Sequence, residues 1–292
     1  MKEWVSPIPK KIHLIWIGAL DPPDYFTKYF LPSFKKFLPE FEIKLWGNKD
    51  LTKKKFPLTF DYIKKAKKRQ GKPIKDENGK IMYSDPELTK PITYSKWAQI
   101  TDLMRLEIVY THGGFYFDTT FEILKPLYNL FNKKYKFIGC NEIPRFEDNY
   151  DLSNSFFGAI KGSPILKRLL SKKWLDTINF DAMFVDSQTG PGYLRAAIYK
   201  NDNYKILPTN YFYPFIEPYD PPNIIDPPYR KARKNKCHTQ KKKRSTRKYK
   251  RLQSNKGYIL YPCKNYPKSY ALKHWQLGKS WMTGSSGYYI KD

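Results

Sequence analysis

The strongest periodic signal in the chain lies between Trp97 and Val109. Apolar residues recur there at helical spacing through Trp97, Ile100, Met104 and Ile108, and again through Ala98, Leu106 and Val109. A helix of about four turns that is apolar on most sides belongs in a core. Gly113-Gly114 ends it, because glycine takes the left-handed conformation of a helix C-cap. The run Phe115-Tyr116-Phe117 then reads as a short buried strand that delivers Asp118 at its end.

Shorter patterns surround this segment. Residues 12–18 read as a buried opening strand, 23–38 as a helix and 41–46 as a second, alternating strand. A strand–helix–strand opening implies a parallel sheet with right-handed crossovers. Farther on, residues 121–127 close the central strand, and 135–140 and 154–160 read as further strands. Ser163 and Pro164 open a helix that runs to Leu175, and Thr189-Gly190-Pro191-Gly192 is a tight turn before a helix over 193–199. Residues 53–92 are lysine-rich and weakly patterned, and read as an elaboration at the sheet's edge; Asn78-Gly79 suits a hairpin turn between 73–74 and 81–83. The predicted fold is one α/β domain over 1–292, with a mixed, mostly parallel sheet flanked by helices.

Three charges sit awkwardly on this apolar frame. Asp102 and Arg105 stand three apart, so they share a helix face, and that face continues into Leu106 and Val109. Asp118 falls at the end of a strand, where open α/β sheets bind their ligands. An Asp–Arg pair of this kind also occurs as a purely structural ion pair, and an Asp after a strand also serves as a turn or cap residue.

Composition narrows the class. The 24 Tyr and 19 Phe argue for a folded chain rather than a disordered one. Three scattered cysteines, Cys140, Cys237 and Cys263, argue against a disulfide framework or a zinc site, and fit a reducing compartment. No apolar run is long enough to span a bilayer and no leader segment opens the chain, so a cytoplasmic protein, or one peripheral to a membrane, is expected. The abundance of Lys and Tyr is compatible with a large DNA virus or an AT-rich microbe. A formal charge of +27 favours anionic partners: nucleic acid, phosphate-bearing substrates, acidic glycans or a membrane surface. Residues 230–251 hold 13 Lys or Arg and no acid; without them the charge falls to +14. They read as a solvated basic insertion, serving as a tether to an anionic surface, a nucleic-acid or localisation patch, or a solubilising loop.

The segment from Thr101 to Glu122 resembles the central motif of the family 32 glycosyltransferases, the group that holds yeast-type initiating mannosyltransferases and bacterial capsular sugar transferases. It is more distantly similar to the clostridial glucosylating toxins. In that family an Asp and an Arg three apart on a helix precede Gly-Gly, a strand and an Asp-x-Asp; here these are Asp102, Arg105, Gly113-Gly114 and Asp118. Thr120 stands where the second carboxylate of the Asp-x-Asp would be, and Glu122 matches an acidic residue that commonly follows. The resemblance implies a GT-A-like fold. It also implies transfer of a hexose from a UDP- or GDP-linked donor to a glycan, lipid or protein hydroxyl, with retention at the anomeric carbon. Asp102 and Arg105 would meet the donor sugar and its phosphate, and Asp118 the phosphate or a metal.

The likeness extends along most of the chain. Pro9-Lys10-Lys11-Ile12-His13-Leu14-Ile15-Trp16 is similar to the family's opening strand beside the nucleotide, so Trp16 would flank the base, a stacking contact of about 1–3 kcal/mol. Asn154 and Ser155 would line the sugar pocket, and Thr189-Gly190-Pro191 resembles a step beside it. Leu207-Pro208 and Phe212-Tyr213-Pro214 match a late family pattern. Tyr270-Ala271-Leu272-Lys273-His274-Trp275, with Ser280-Trp281, resembles the family's closing motif, in which Lys273 takes the first of two His positions and His274 the second.

Most relatives use a divalent cation, Mn2+ or Mg2+, to neutralise the departing diphosphate. Two arrangements remain open on the sequence. Lys273, with Arg105, supplies part of that positive charge, or a weaker metal site is built from Asp118, Glu122 and His274. An inactive binding module and a basic nucleic-acid-binding protein are the rival classes.

Overall fold

The computed structural model describes residues 3–17, 21–68, 95–143, 151–178, 188–213 and 268–273. Helix α3, Ser95–His112, runs through the middle of the fold, and its side chains from Gln99 to Val109 are buried, with only Thr101 half-buried. It ends where the glycines predict. The Gly113 N–H bonds to the Val109 carbonyl at 2.9 Å, and Gly113 and Gly114 have φ of 65° and 103°. A Cβ on Gly114 would lie 2.7 Å from the Lys11 carbonyl oxygen, so only glycine permits this reversal. The chain turns directly into β3, Gly114–Phe117, laid parallel beside β1, Lys11–Ile15.

The main sheet has six strands in the order β2-β1-β3-β6-β5-β7, with β2 at Glu42–Trp46, β5 at Phe137–Ile143, β6 at Asp151–Ala159 and β7 at Tyr204–Leu207. Neighbours are parallel except for β6, which is antiparallel to both β3 and β5. A separate ribbon pairs β4, Phe121–Ile123, antiparallel with β8, Ala271–Lys273. This is the mixed, mostly parallel α/β sheet expected from the sequence.

Each face of the sheet carries its own core. On one face α3 packs with α2 (Pro57–Lys68), α5 (Pro164–Leu169) and α7 (Pro191–Ala196), through residues such as Met104, Ile108, Tyr116, Leu166 and Leu194. The other face is built largely from phenylalanine, under α1 (Leu31–Phe37), α4 (Tyr128–Phe131) and the ribbon. There the Phe117 ring meets those of Phe34, Phe121, Phe156 and Phe212 at centroid distances of 4.7 to 6.0 Å. Such pairs contribute about 0.5–1.5 kcal/mol each beyond burial. The residue immediately before Asp118 is thereby fixed.

Several boundaries differ from the sequence expectation. The predicted helix over 23–38 divides into a wide turn at Phe26–Phe30 and α1, because Pro32 has no N–H to donate and its ring crowds the preceding turn. The one over 164–175 divides into α5 and a short α6 at Lys172–Leu175, and the Ser163 hydroxyl at its start makes no capping bond. Residues 121–127 do not extend the central strand; they turn into the ribbon. Within the weakly patterned 53–92, residues 57–68 form α2, whose first N–H groups are taken from outside the helix: the Glu107 carboxylate of α3 accepts from Leu58 at 3.1 Å and Thr59 at 2.8 Å. The hairpin expected over 73–83 and the basic stretch 230–251 lie outside the described residues. Among the described residues no helix is long and apolar enough to cross a membrane.

His13 fastens β1 to its neighbours. Trp46 Nε1 donates to His13 Nδ1 at 3.2 Å, and His13 Nε2 donates to the Gly113 carbonyl at 2.8 Å, so the neutral ring uses both nitrogens. Burial, opposed by the Gly113 carbonyl, pushes the imidazole pKa down to about 4. Below pH 6.5 the unfolded chain binds a proton that the folded protein refuses until about pH 4, so this contribution to stability is full above pH 6.5 and is lost as pH falls through that window. The loss amounts to roughly 3 kcal/mol at the acid end. Urea unfolding between about pH 7 and about pH 4.5 is expected to show a steeper decline for the wild type than for His13→Gln; matching slopes would disprove a neutral buried ring.

Candidate active site

The site begins with an irregularity in β6. Gly139 pairs with Phe157 and Asn141 with Leu152, so residues 153–156 of β6 stand against Cys140 alone. The strand bows away from β5 there while staying joined to β3, where Phe117 faces Phe156 and the Asp118 N–H bonds to the Ser155 carbonyl at 2.9 Å. The backbone groups released by the bulge find other partners. Arg105 Nη1 donates to the Asn154 carbonyl at 2.8 Å, and Ser153 Oγ accepts from the Ser155 N–H at 3.1 Å. The Ser155 hydroxyl lies 2.9 Å from those of both Ser153 and Tyr213.

Four charges of alternating sign line up against this bulge. Asp102 Oδ1 faces Arg105 Nη2 at 3.1 Å and accepts from Asn154 Nδ2 at 2.8 Å, while its Oδ2 accepts from the Thr189 hydroxyl at 2.9 Å. Arg105 continues to Asp118 Oδ1 at 3.5 Å, and its Nε donates to the Thr101 carbonyl at 3.2 Å. Asp118 Oδ1 also accepts from the Tyr116 hydroxyl at 2.7 Å, and Oδ2 is ion-paired with Lys273 Nζ. The Arg105 guanidinium stacks over the Tyr116 ring at 4.6 Å, and the Lys273 ammonium lies 5.3 Å from the Phe121 ring centre. The side chains of Asp102, Arg105 and Lys273 are 7%, 8% and 5% exposed, against 25% for Asp118. Of the four, Asp118 is the most exposed.

The local electrostatics follow from burial and pairing. Burial works to raise the Asp118 pKa, but Lys273 and Arg105, with the Tyr116 hydrogen bond, outweigh it and hold the carboxylate below its usual range. Burial drives the Tyr116 phenol well above its usual value, against the attraction of Arg105, so it remains a hydroxyl donor. Burial also opposes the charge on Arg105, yet Tyr116, Asp102 and Asp118 keep it protonated.

The sequence-derived candidates separate into two groups. Asp102, Arg105, Asp118, Asn154 and Lys273 come together. Trp16, 9% exposed, follows β1 directly, at the same edge of the sheet where Asp118 follows β3. Glu122 stands apart. The ribbon places Phe121 opposite Lys273 and Glu122 opposite Leu272, so strand alternation turns Glu122 to the other face from Lys273. His274 lies outside the described residues. Thr120 is buried, and its hydroxyl has no hydrogen-bond partner among the described residues. Thr189 lies in a sequence that reads as a turn and resembles a step beside the sugar pocket, and the fold sets its hydroxyl on Asp102; Tyr116 reads from the sequence as a strand residue, and its hydroxyl is the signal that it needs a polar partner.

A divalent cation does not fit the described residues. No group of three or more His, Cys, Asp or Glu converges among them, and Asp118 already holds a cation on each oxygen.

Residues 3–138 match the family model described as a glycosyltransferase sugar-binding region containing a DXD motif. The matched segment includes Trp16, Asp102, Arg105 and Asp118 and stops before Asn154, Thr189 and Lys273. A comparison with curated proteins gives no match. Similar solved structures include one titled PaToxG Glycosyltransferase, at 20% identity and a TM-score of 0.41 over 66% of this chain and 69% of that one. Another, titled Structure of Transferase, has 13% identity and a TM-score of 0.33 over 65% of this chain and 86% of that one. These overlaps are too loose for any residue to be carried across.

Arg105 separates two carboxylates in a nearly dry setting, so its removal takes a cation from both and leaves Lys273 alone to offset the pair. Arg105→Met is expected to cost about 3–5 kcal/mol of unfolding free energy, read by chemical denaturation, with Arg105→Lys recovering part of the loss. A neutral outcome for Arg105→Met would mean that the pairing is not formed in solution.

Proposed function

We propose that this chain is a GT-A-type glycosyltransferase of the family 32 group, moving a hexose from a UDP- or GDP-linked donor to a glycan, lipid or protein hydroxyl with retention at the anomeric carbon. Support comes from the convergence of Asp102, Arg105 and Asp118 at the carboxyl edge of the parallel strands, inside the segment that matches the sugar-binding family model. In the transfer, the bond from the anomeric carbon to the diphosphate oxygen breaks and its electron pair leaves on the diphosphate. The anomeric carbon bonds to the acceptor oxygen, whose proton is released.

The residues divide this work by position. Asp118, the most exposed of the four charges, faces the donor. Asp102 accepts from the sugar's hydroxyls, held in place by Asn154 and Thr189. Arg105 already directs its Nε, Nη1 and Nη2 at protein oxygens, so it positions both carboxylates and adds its charge at short range. Trp16 flanks the base.

A thermal-shift panel of UDP- and GDP-sugars is expected to single out one nucleotide class, because a ligand that binds the folded state raises its melting temperature. With that donor, Asp102→Asn is expected to lower turnover by about a hundred-fold or more, and Trp16→Ala to weaken donor affinity by about ten-fold while leaving the melting profile cooperative. Absence of any nucleotide-sugar hydrolysis or transfer, together with salt-sensitive retention on DNA, would reject the enzyme in favour of a nucleic-acid-binding protein.

A further inference from the structure

The surroundings of Asp118 resemble those of a carboxylate whose counter-ion is already built in. Mg2+ and similar hard cations need several oxygen ligands at about 2.0–2.1 Å. Asp118 Oδ2 carries the Lys273 ammonium, and Oδ1 carries the Tyr116 hydroxyl at 2.7 Å and the Arg105 guanidinium at 3.5 Å. A dication on either oxygen would press against one of two buried positive groups that solvent does not screen. Among the described residues no further carboxylate offsets this: Asp102 is itself paired with Arg105, Thr120 brings a neutral hydroxyl, and Glu122 faces the other side of the ribbon.

Lys273 reaches the site from a fixed backbone. Its residue pairs with Phe121 across the ribbon, and its N–H bonds to the Phe212 carbonyl at 3.1 Å. Its side chain runs past the Phe121 ring and is 5% exposed. The buried set is also balanced without any added ion, since Asp102 and Asp118 offset Arg105 and Lys273.

We propose that Lys273 is a resident replacement for a divalent cation. Its ammonium holds the anionic seat on Asp118, keeps metal ions out of it, and supplies, with Arg105, the positive charge that meets the donor's diphosphate. The last clause alone depends on the function proposed above; the exclusion of metal does not.

Titration of the full chain with Mn2+, followed by the paramagnetic resonance signal of the free ion, tests the exclusion without any donor. The wild type and Lys273→Arg are expected to leave the Asp118 site empty of Mn2+. Lys273→Gln is expected to gain a single site, bound at least roughly ten-fold more tightly than any site of the wild type, and to lose it again when Asp118→Asn is added. Lys273→Met serves in its place if circular dichroism shows that the glutamine variant does not fold. Wild-type Mn2+ binding that Asp118→Asn abolishes would overturn the proposal, and so would a glutamine or methionine variant as blind to Mn2+ as the wild type. Mn2+ uptake indifferent to Asp118→Asn places the ion elsewhere and leaves the gain in Lys273→Gln to decide. UDP and GDP affinities measured in EDTA and in Mn2+ form the second arm: equal values in the wild type, and a loss of at least roughly ten-fold in Lys273→Gln, are expected. Tighter nucleotide binding with Mn2+ than in EDTA counts against the ammonium; no nucleotide binding at all counts against the glycosyltransferase, and the metal titration still decides the exclusion.

Discussion

Arg105 is placed between two carboxylates that would otherwise repel each other in a poorly solvated interior, and the centre of the molecule is arranged around that fact. Burying a guanidinium is unfavourable unless each side of it meets an acceptor. Asp102, Asp118, the Thr101 carbonyl and the Asn154 carbonyl fill those directions. The last of them is available only because β6 departs from its ladder with β5. The bulge and the buried charge thus satisfy one another: an unpaired strand carbonyl would be costly without Arg105, and Arg105 would be under-coordinated without the bulge.

Precision on the other side of β3 comes from packing without polarity. The rings around Phe117, and the stacked pair of Phe115 and Phe131 at 4.0 Å, clamp the short strand from the opposite face. Four residues are enough for β3 because its start is fixed by the glycine reversal and its end by the N–H of Asp118 on Ser155. A polar cluster on one face and an aromatic floor on the other leave Asp118 little freedom to wander.

Much of this was legible in the sequence because it is local. The periodicity of α3, its glycine stop and the aromatic strand after it all lie within one continuous segment, and they place Asp102, Arg105 and Asp118 correctly relative to the helix and strand. What stayed hidden depends on residues distant in the chain. Helix α2 has lysine-rich, weakly patterned sequence, and its start is secured by Glu107, 48 residues on from Thr59. The bulge in β6 is marked only indirectly, by three polar residues in a row at Ser153-Asn154-Ser155, which do not tell how the strand pairs with β5. For Thr189 the sequence offers a turn and a likeness to a step beside the sugar pocket, but its partner, Asp102, is 87 residues away and comes only with the fold. Glu122 followed a plausible spacing, but strand alternation sends it to the wrong side for joining Asp118.

The pair that closes the cluster spans 155 residues of chain, from Asp118 to Lys273. On a ribosome the helix, the glycine reversal and the aromatic floor emerge long before the strand that carries the ammonium. A growing polypeptide therefore holds Asp118 with Arg105 and Tyr116 but without the ammonium while those 155 residues are added, and the charge of that edge changes late, when the ribbon zips. Premature termination upstream of Lys273 would remove the ammonium and break the strand that pairs with β4 together, so the charge of that edge and the closure of the ribbon stand or fall as one.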